Sequence, residues 1–464
     1  MSDNPASRPK SFNRRDFLKA GGAAGLGAAL GHLAFRHAAA HPPQIGGIAP
    51  VDHFAVPPIP TVRVGFVGVG MQGSGHFRNF LRIEGVEIKA VCDMRQERVD
   101  WAKSQAEKAG RPIPVGYADG PEDFKRMCDT EELDLVYNAT PWEWHTPVCI
   151  KAMETGSHAA TEIPGVLTLD DCWKLVETAE KQKKHCVIME NCNYDRTELM
   201  LFNMVRQGLF GELLHAECGY LHDLRGYKFG TAYYPHDWRL QHSIKRNADL
   251  YPTHGLGPVA QWMDITRGNA FDFLVSFSSP ARCLHLEAVK RHGPDHPLAK
   301  TDYALGDIVN TMIKTRKGQT ILVTHDTNAP RPYSRKILIQ GTQGLARKYP
   351  EEKLYLEGKS PSHRWEDLAN YRDEYEHPLI KSLSEQAKGA GHGGMDFIED
   401  YRLVQCLREG RPTDMDVYDG VTVSAVIELS EQSIASGSMP VKCPDFTRGR
   451  WKTRQPLPII GGEA

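Results

Sequence analysis

VRVGFVGVGMQGSGHFRNFLRIEGVEIKAVCD occupies residues 62–93. It reads as an apolar β run, a complete G-x-G-x-x-G (Gly68, Gly70 and Gly73), a helical stretch, a second β run and a closing acid, Asp93. Each part has its own task in holding a dinucleotide. The glycines let the backbone turn tightly and approach a pyrophosphate, and the N-terminus of the following helix offers unpaired N–H groups to its charge. An acid that ends the second strand accepts the ribose hydroxyls and repels a 2′-phosphate, which points to NAD over NADP even with Arg95 nearby. Asp93 lies 25 residues after Gly68, close to the roughly 20 expected. The alternative is a glycine turn in an α/β domain that binds nothing.

Downstream, strands and helices keep alternating: helical MRQERVDWAKSQAEKAG, strand LDLVYNAT (133–140), helix VCIKAMETG, strand HAATEI, helix LDDCWKLVETAEKQK and strand CVIMEN (186–191). Helices of this length between strands imply a parallel sheet with right-handed crossovers, and ligands gather at the carboxyl ends of such strands. Those ends carry Pro141-Trp142-Glu143-Trp144-His145, Glu162-Ile163-Pro164 and Asn191-Cys192-Asn193-Tyr194. After Tyr194 the rhythm changes to a helix, then β-rich stretches, then two late helices near MDFIEDYRLVQCLREG and VYDGVTVSAVIELSEQSIASG. The expected fold is therefore α/β: an N-terminal Rossmann dinucleotide-binding domain over 61–192, then an α+β domain over 193–464 built on an open, mainly antiparallel sheet. The exposed face of that sheet would be the surface for a homo-oligomer, with substrate held between the domains.

The first forty residues restrict what the cofactor can be for. Asn13-Arg14-Arg15-Asp16-Phe17-Leu18-Lys19 precedes an apolar Gly/Ala-rich stretch and Ala38-Ala39-Ala40, the layout of an export signal. The stretch is short and glycine-rich for a membrane span, and an uncleaved N-terminal anchor is the alternative. The paired arginines resemble a twin-arginine signal, with Asn13 where Ser or Thr is usual. Residues 41–60 are Pro-rich and read as an extended arm, suited to reach onto a neighbouring subunit. Outside the cytoplasm there is no pool of free NAD to exchange with. A tightly held cofactor must then either couple two half-reactions or oxidise and re-reduce one substrate within a cycle.

Composition fits a soluble two-domain protein, 41% hydrophobic and 25% charged over 464 residues with net charge −2. No basic block or aromatic-basic interleaving points to nucleic acid. The ten cysteines show no C-x-x-C, and His215, His222, His236 and His242 show no metal spacing. Packing cysteines and no resident metal are expected.

Tyr251-Pro252-Thr253-His254-Gly255 lies in a loop-like region ahead of an apolar helix, where His254 and Tyr251 could supply a base and a hydroxyl donor. A capping loop is the alternative there. Trp142, Trp144 and His145 sit where they could contact cofactor or sugar, or seal the domain edge. Glu162 ends a strand, where a carboxylate is costly unless it faces a cleft or a partner. Tyr220, Arg239 and Tyr333 could grip sugar hydroxyls. Gly391-His392-Gly393-Gly394 is either a functional loop or a flexible helix entry.

The nucleotide fingerprint followed by TP and a histidine after the fourth strand resembles the Gfo/Idh/MocA oxidoreductases. That superfamily commonly has Glu-Lys-Pro where this chain has Glu162-Ile163-Pro164; the missing lysine counts against a plain sugar dehydrogenase. PWEWH, ENCNY, CGYLHDL, DWR, DLYPTHG, THDT, RPY, SHRW, GAGHGGMDF and MDVYDG occur in order and resemble glycoside hydrolase family 109, the NAD-dependent α-N-acetylgalactosaminidases. The resemblance implies NAD contacts at Met71, Gln72, Asp93, Trp142, Glu143, Trp144, His145, Glu162, Ile163, Asn191, Tyr251, Pro252, Thr253 and His254. It implies sugar contacts at Tyr220, Arg239, Tyr251 and Tyr333, with His254 foremost among catalytic candidates and Tyr251, Tyr194 and Glu162 beside it. It also implies oxidation at the sugar C3, loss of the C2 proton, elimination of the glycosidic oxygen, addition of water and re-reduction by the same cofactor, outside the two-carboxylate scheme. Two other readings stand beside it: a periplasmic NAD(P)-dependent oxidoreductase coupling two sugars, in the manner of glucose–fructose oxidoreductases, and a non-catalytic sugar-binding relic.

Overall fold

Val62–Val67 (β1) is almost wholly buried, as a strand inside a parallel sheet must be. A computed structural model of the chain describes residues 56–230, 234 and 237–460. The export signal and most of the Pro-rich arm lie outside the described residues. The arm's last part, Val56–Pro60, reaches its own chain: the Ile59 N–H donates to the Leu407 carbonyl at 3.1 Å.

β1 pairs in parallel with β2 (Val86–Cys92) on one side and with β4 (Leu135–Asn138) on the other. With β3 (Val115–Tyr117), β5 (His158–Thr161) and β6 (Cys186–Ile188), the strand order is β3-β2-β1-β4-β5-β6. This is the doubly wound Rossmann order, in which direction reverses between β1 and β4 and a crevice opens above their carboxyl ends. β3 falls where the sequence suggests only loop, because just one of its three residues is buried and it carries no apolar run.

The second sheet has nine strands: β7 (Leu213–Leu221), β8 (Phe271–Ser278), β9 (Val309–Thr315), β10 (Thr320–Asp326), β11 (Leu338–Gly341), β12 (Gly344–Arg347), β13 (Lys353–Leu356), β14 (Glu366–Asp367) and β15 (Val441–Lys442). Their order is β14-β13-β12-β11-β7-β10-β9-β8-β15, antiparallel except for the β7–β10 pair. The last four strands are two to four residues long, too short to show alternation in the sequence. The final expected helix is two, Val417–Ser424 and Val426–Ala435, and Asp416 caps the first through a reciprocal capping box with Asp419. Phe273, Val275, Phe277, Met312 and Leu322 remain at least partly open to solvent along β8, β9 and β10.

One late helix packs back onto the parallel-sheet domain. Met395–Glu409, late in the chain, returns to lie on Met71–Arg82, the helix that follows the glycine fingerprint. Asn79 Nδ2 donates to Asp400 at 2.9 Å across that contact. The described residues belong to one compact unit. All ten cysteines are unpaired and nine are buried. Among the described residues no helix is long and apolar enough to cross a membrane.

At the far end of the parallel sheet, His158 and His185 are buried with rings 5.0 Å apart, and His158 Nδ1 accepts the His185 backbone N–H at 3.0 Å. Burial lowers both imidazoles, to about 3 for His158 and about 4 for His185. Both folded values lie below the ordinary 6.5, so the pair's contribution is complete above that pH and is lost as pH falls toward 4. His158→Asn keeps an acceptor that does not titrate. Its Tm should decline less steeply than the parent's between pH 6.5 and 4; parallel declines in thermal denaturation would contradict this.

Candidate functional site

Five strand ends of the parallel sheet open into one cleft with about 1520 Å3 of empty space. Gly68, Asp93, Ala139 to Trp142, Glu162 and Asn191 arrive from β1, β2, β4, β5 and β6. Tyr220 from β7, Arg239 from the Trp238–Lys245 helix, and Tyr251 and His254 close the other wall.

The nucleotide end is built by backbone. Gly68 has φ +82°, and a Cβ on Gly73 would stand 2.1 Å from the Gly68 carbonyl, so only glycine lets the Met71–Arg82 helix start this close to β1. That helix has no side-chain cap and no acid in its first turn, which leaves its leading N–H groups available to a phosphate. Asp93 accepts the N–H of Val69 at 3.0 Å and that of Arg95 at 3.0 Å, fixing its carboxylate at the mouth of the loop. The cradle fits a dinucleotide with free ribose hydroxyls.

Gly68, Gly70, Met71, Gln72, Asp93, Trp142, Trp144, His145, Glu162, Ile163, Asn191, Tyr220, Arg239, Tyr251 and His254 all line the cleft. Gly73, Glu143, Pro252 and Thr253 lie behind it: Gly73 beneath the loop, Glu143 against His242 at 3.4 Å, and Pro252 and Thr253 buried under the His254 turn. His145 offers neither nitrogen to the cleft, because Nδ1 is 2.7 Å from the Pro164 carbonyl and Nε2 is 2.9 Å from that of Thr140. It staples the strand ends that carry Trp142 and Ile163. Tyr333 stands at the outer rim, its ring 6.1 Å from that of Tyr220.

Tyr194 does not join the site. It is buried, and its hydroxyl donates to Asp414 at 2.9 Å, a carboxylate that Arg402 also holds. A hydroxyl ending the strand–helix turn looks available in the sequence, but the turn directs it into the interior.

His254 lies in the first turn of a helix, Thr253–Trp262, rather than in a loop. A Cβ on Gly257 would meet Glu190 Cγ at 2.7 Å, so the glycine lets this helix settle on Glu190. The result is a carboxylate–histidine pair: His254 Nδ1 donates to Glu190 Oε1 at 2.8 Å. Glu190 is fully buried; burial raises its carboxyl, but the His254 ring outweighs this and holds it below the usual range. With Nδ1–H committed, Nε2 is left as the acceptor facing the cleft. Glu190 was not among the residues expected from sequence, although a carboxylate closing a buried strand is the same signal that marks Glu162.

At the other end of the cleft, Arg239 sits inside four rings: Trp142, Tyr220, Tyr234 and Tyr251, at 4.9, 5.9, 5.2 and 4.5 Å. Its Nη1 donates to Tyr234, and Nη2 is buried without a partner among the described residues. Trp142 stacks on Tyr251 at 5.6 Å. Opposite, the glycine loop holds His392 at φ 51°, with Nδ1 2.8 Å from Asp396. Asp396 also accepts from Asn191 at 2.7 Å; burial raises its carboxyl, and these partners with His76 bring it down to about 2.

Comparison with known proteins supplies three family matches. Residues 194–453 match the C-terminal domain of glycosyl hydrolase 109, residues 62–190 match the NAD-binding Rossmann fold of an oxidoreductase family, and residues 11–31 match a twin-arginine translocation signal. A glycosyl hydrolase family 109 protein of Shewanella pealeana is 46% identical, covering 97% of this chain and 99% of its own. An α-N-acetylgalactosaminidase of Shewanella oneidensis is 45% identical with the same coverage. Among solved structures, levoglucosan dehydrogenase in complex with NADH and levoglucosan aligns with TM-score 0.64 at 20% identity, over 83% of this chain and 100% of that one. At that identity the likeness concerns the fold alone.

Gly73→Ala puts a methyl group into the Gly68 carbonyl and must push the helix off the loop. The variant should purify with its NAD content reduced by about tenfold or more, a loss of some 1.4 kcal/mol or more in binding. Undiminished NAD in the released-nucleotide assay would contradict this account of the cradle.

Proposed function

The chain belongs to glycosyl hydrolase family 109, the NAD-dependent glycoside hydrolases, and we propose that it removes terminal α-linked N-acetylgalactosamine from glycans or glycosides. It carries a twin-arginine signal at residues 11–31 and is exported by that route. In this reading residues 61–192 hold a non-exchanging NAD and residues 193–464 present the sugar. The apolar outer face of β8, β9 and β10 supports a homo-oligomer through that sheet.

The observation that carries the proposal is the acid content of the cleft. Asp93 and Glu162 are the acidic residues among its lining, and Asp93 is engaged at the nucleotide loop. Hydrolysis by two carboxylates needs a pair flanking one bond at roughly 5–9.5 Å. This cleft instead offers one carboxylate and one histidine backed by a buried acid. When bound, NAD supplies a hydride acceptor that returns the same electrons, so C3 passes transiently through a ketone with no net redox change.

The chain's own groups do the rest. The ketone acidifies the C2 proton, which His254 Nε2 takes. Glu190 holds the required tautomer and stabilises the imidazolium that forms. Glu162 protonates the departing glycosidic oxygen and takes a proton from the water that adds afterwards. Arg239, with its unpartnered Nη2, and Tyr220 orient the ring, and the Trp142–Tyr251 stack shapes the wall against which it lies. Family membership favours this reading over an oxidoreductase that couples two sugars. The test is release of an aryl group from an α-N-acetylgalactosaminide with no second substrate and no accumulation of NADH. Stoichiometric oxidation of one sugar with reduction of another would select the oxidoreductase.

His254→Ala should lose turnover while retaining bound NAD. Glu190→Gln places an amide donor against Nδ1 and moves the ring proton to Nε2, so kcat should fall by about 10²–10⁴-fold with little change in KM. Unchanged turnover in either variant would remove the pair from the reaction.

A further inference from the structure

Behind Glu162 runs a buried line of titratable groups that the reaction just described does not use. His76, in the second turn of the Met71–Arg82 helix, is wholly excluded from solvent. Its Nε2 lies 2.7 Å from Glu162 Oε1, and its Nδ1 lies 2.8 Å from Asp400 Oδ2. Asp400 is equally buried and also accepts from Asn79. Glu162 alone reaches the cleft, with 15% of its side chain open. Glu399 is buried next to Asp400 with neither oxygen hydrogen-bonded among the described residues, and the Tyr137 ring lies against His76 at 5.0 Å.

His76, Glu399 and Asp400 could present ligand atoms to a metal ion, but the two imidazole nitrogens are already engaged. Both nitrogens already face carboxylate oxygens. An imidazole hydrogen-bonded on both sides between two acids is instead the element of a proton wire. Burial also favours extra protons here: it raises the Asp400 carboxyl to about 6 and lifts that of Glu399 well above its usual range.

We propose that Asp400 and His76 form a proton relay that feeds Glu162 and takes the proton back. The inference rests on the assignment of Glu162 as the acid of the cleft. When the C1–O bond breaks, its electron pair goes to the leaving oxygen, which takes the proton of Glu162. The His76 Nε2 proton moves to Glu162 Oε1, and a proton from Asp400 moves to His76 Nδ1. Water addition runs the chain backward, so the relay ends each turnover as it began. His76 and Asp400 are positioning and relay groups, and touch neither sugar nor cofactor.

The test compares Asp400→Asn with the parent holoenzyme on two α-N-acetylgalactosaminides, one with a dinitrophenyl and one with an alkyl leaving group. The amide keeps the size of the carboxylate but cannot pass a proton. A relay predicts that kcat/KM on the alkyl glycoside falls by about 100-fold, and on the dinitrophenyl glycoside by less than about threefold, with NAD retained. Equal losses on both, or none, would overturn it. If the variant does not fold, a proton inventory of the unaltered enzyme on the alkyl glycoside decides: a bowed dependence on deuterium fraction supports the relay, and a straight line contradicts it. A parent that cleaves neither glycoside would refute the function itself, a result distinct from either outcome.

Discussion

Asp400 is a buried carboxylate held by His76 and Asn79, and the architecture of the cleft depends on that contact. The acid comes from a helix far down the chain, and the histidine and asparagine from the helix behind the nucleotide loop. Removing one partner of such a buried set costs on the order of 3–5 kcal/mol, because the other charge is left unpaired. One turn earlier on the same late helix, Asp396 binds Gln72, Asn191 and His392. Two carboxylates on one helix thus fix the start of the Gly-x-Gly helix, the end of β6 and the glycine-rich loop over the cleft. Through His76 they also fix Glu162.

That rigidity suits the non-exchanging cofactor proposed above. The opposite wall is held by the same kind of device, a buried acid behind a histidine, but there the histidine itself meets the cleft. On one side the carboxylate is exposed and the histidine hidden; on the other the order is reversed. The elimination and water addition proposed here need two groups that exchange protons at different atoms, and each wall presents one candidate. The arginine inside its aromatic ring set contributes a fixed positive charge on the second wall.

Much of this was legible in the sequence, and the part that was not has a physical reason. Gly68, Gly70, Gly73 and Asp93 form a local pattern whose geometry follows from backbone sterics, so strand, turn and helix could be read directly. The residues at strand ends, from Trp142 to Asn191, were found because a parallel sheet exposes its carboxyl ends. His76, Asp396 and Asp400 were not found, since the partners of His76 and Gln72 lie 324 residues away and no spacing rule connects them. Tyr194 looked available at a turn, yet its direction depends on Asp414 in a distant segment. His254 lines the cleft but was expected in a loop, because the glycines of its helix resemble loop residues until Glu190 and β7 are seen packed against them.

The central claim is that the nicotinamide borrows electrons from the sugar and returns them while C2 is deprotonated. It is tested most directly by turning over an N-acetylgalactosaminide deuterated at C3 in ordinary water, and a C2-deuterated one in parallel, then reading both positions in the released sugar by NMR or mass spectrometry. The account predicts that deuterium at C3 is retained, because the held cofactor hands it back, and that deuterium at C2 is lost to solvent. Retention at both positions would contradict it.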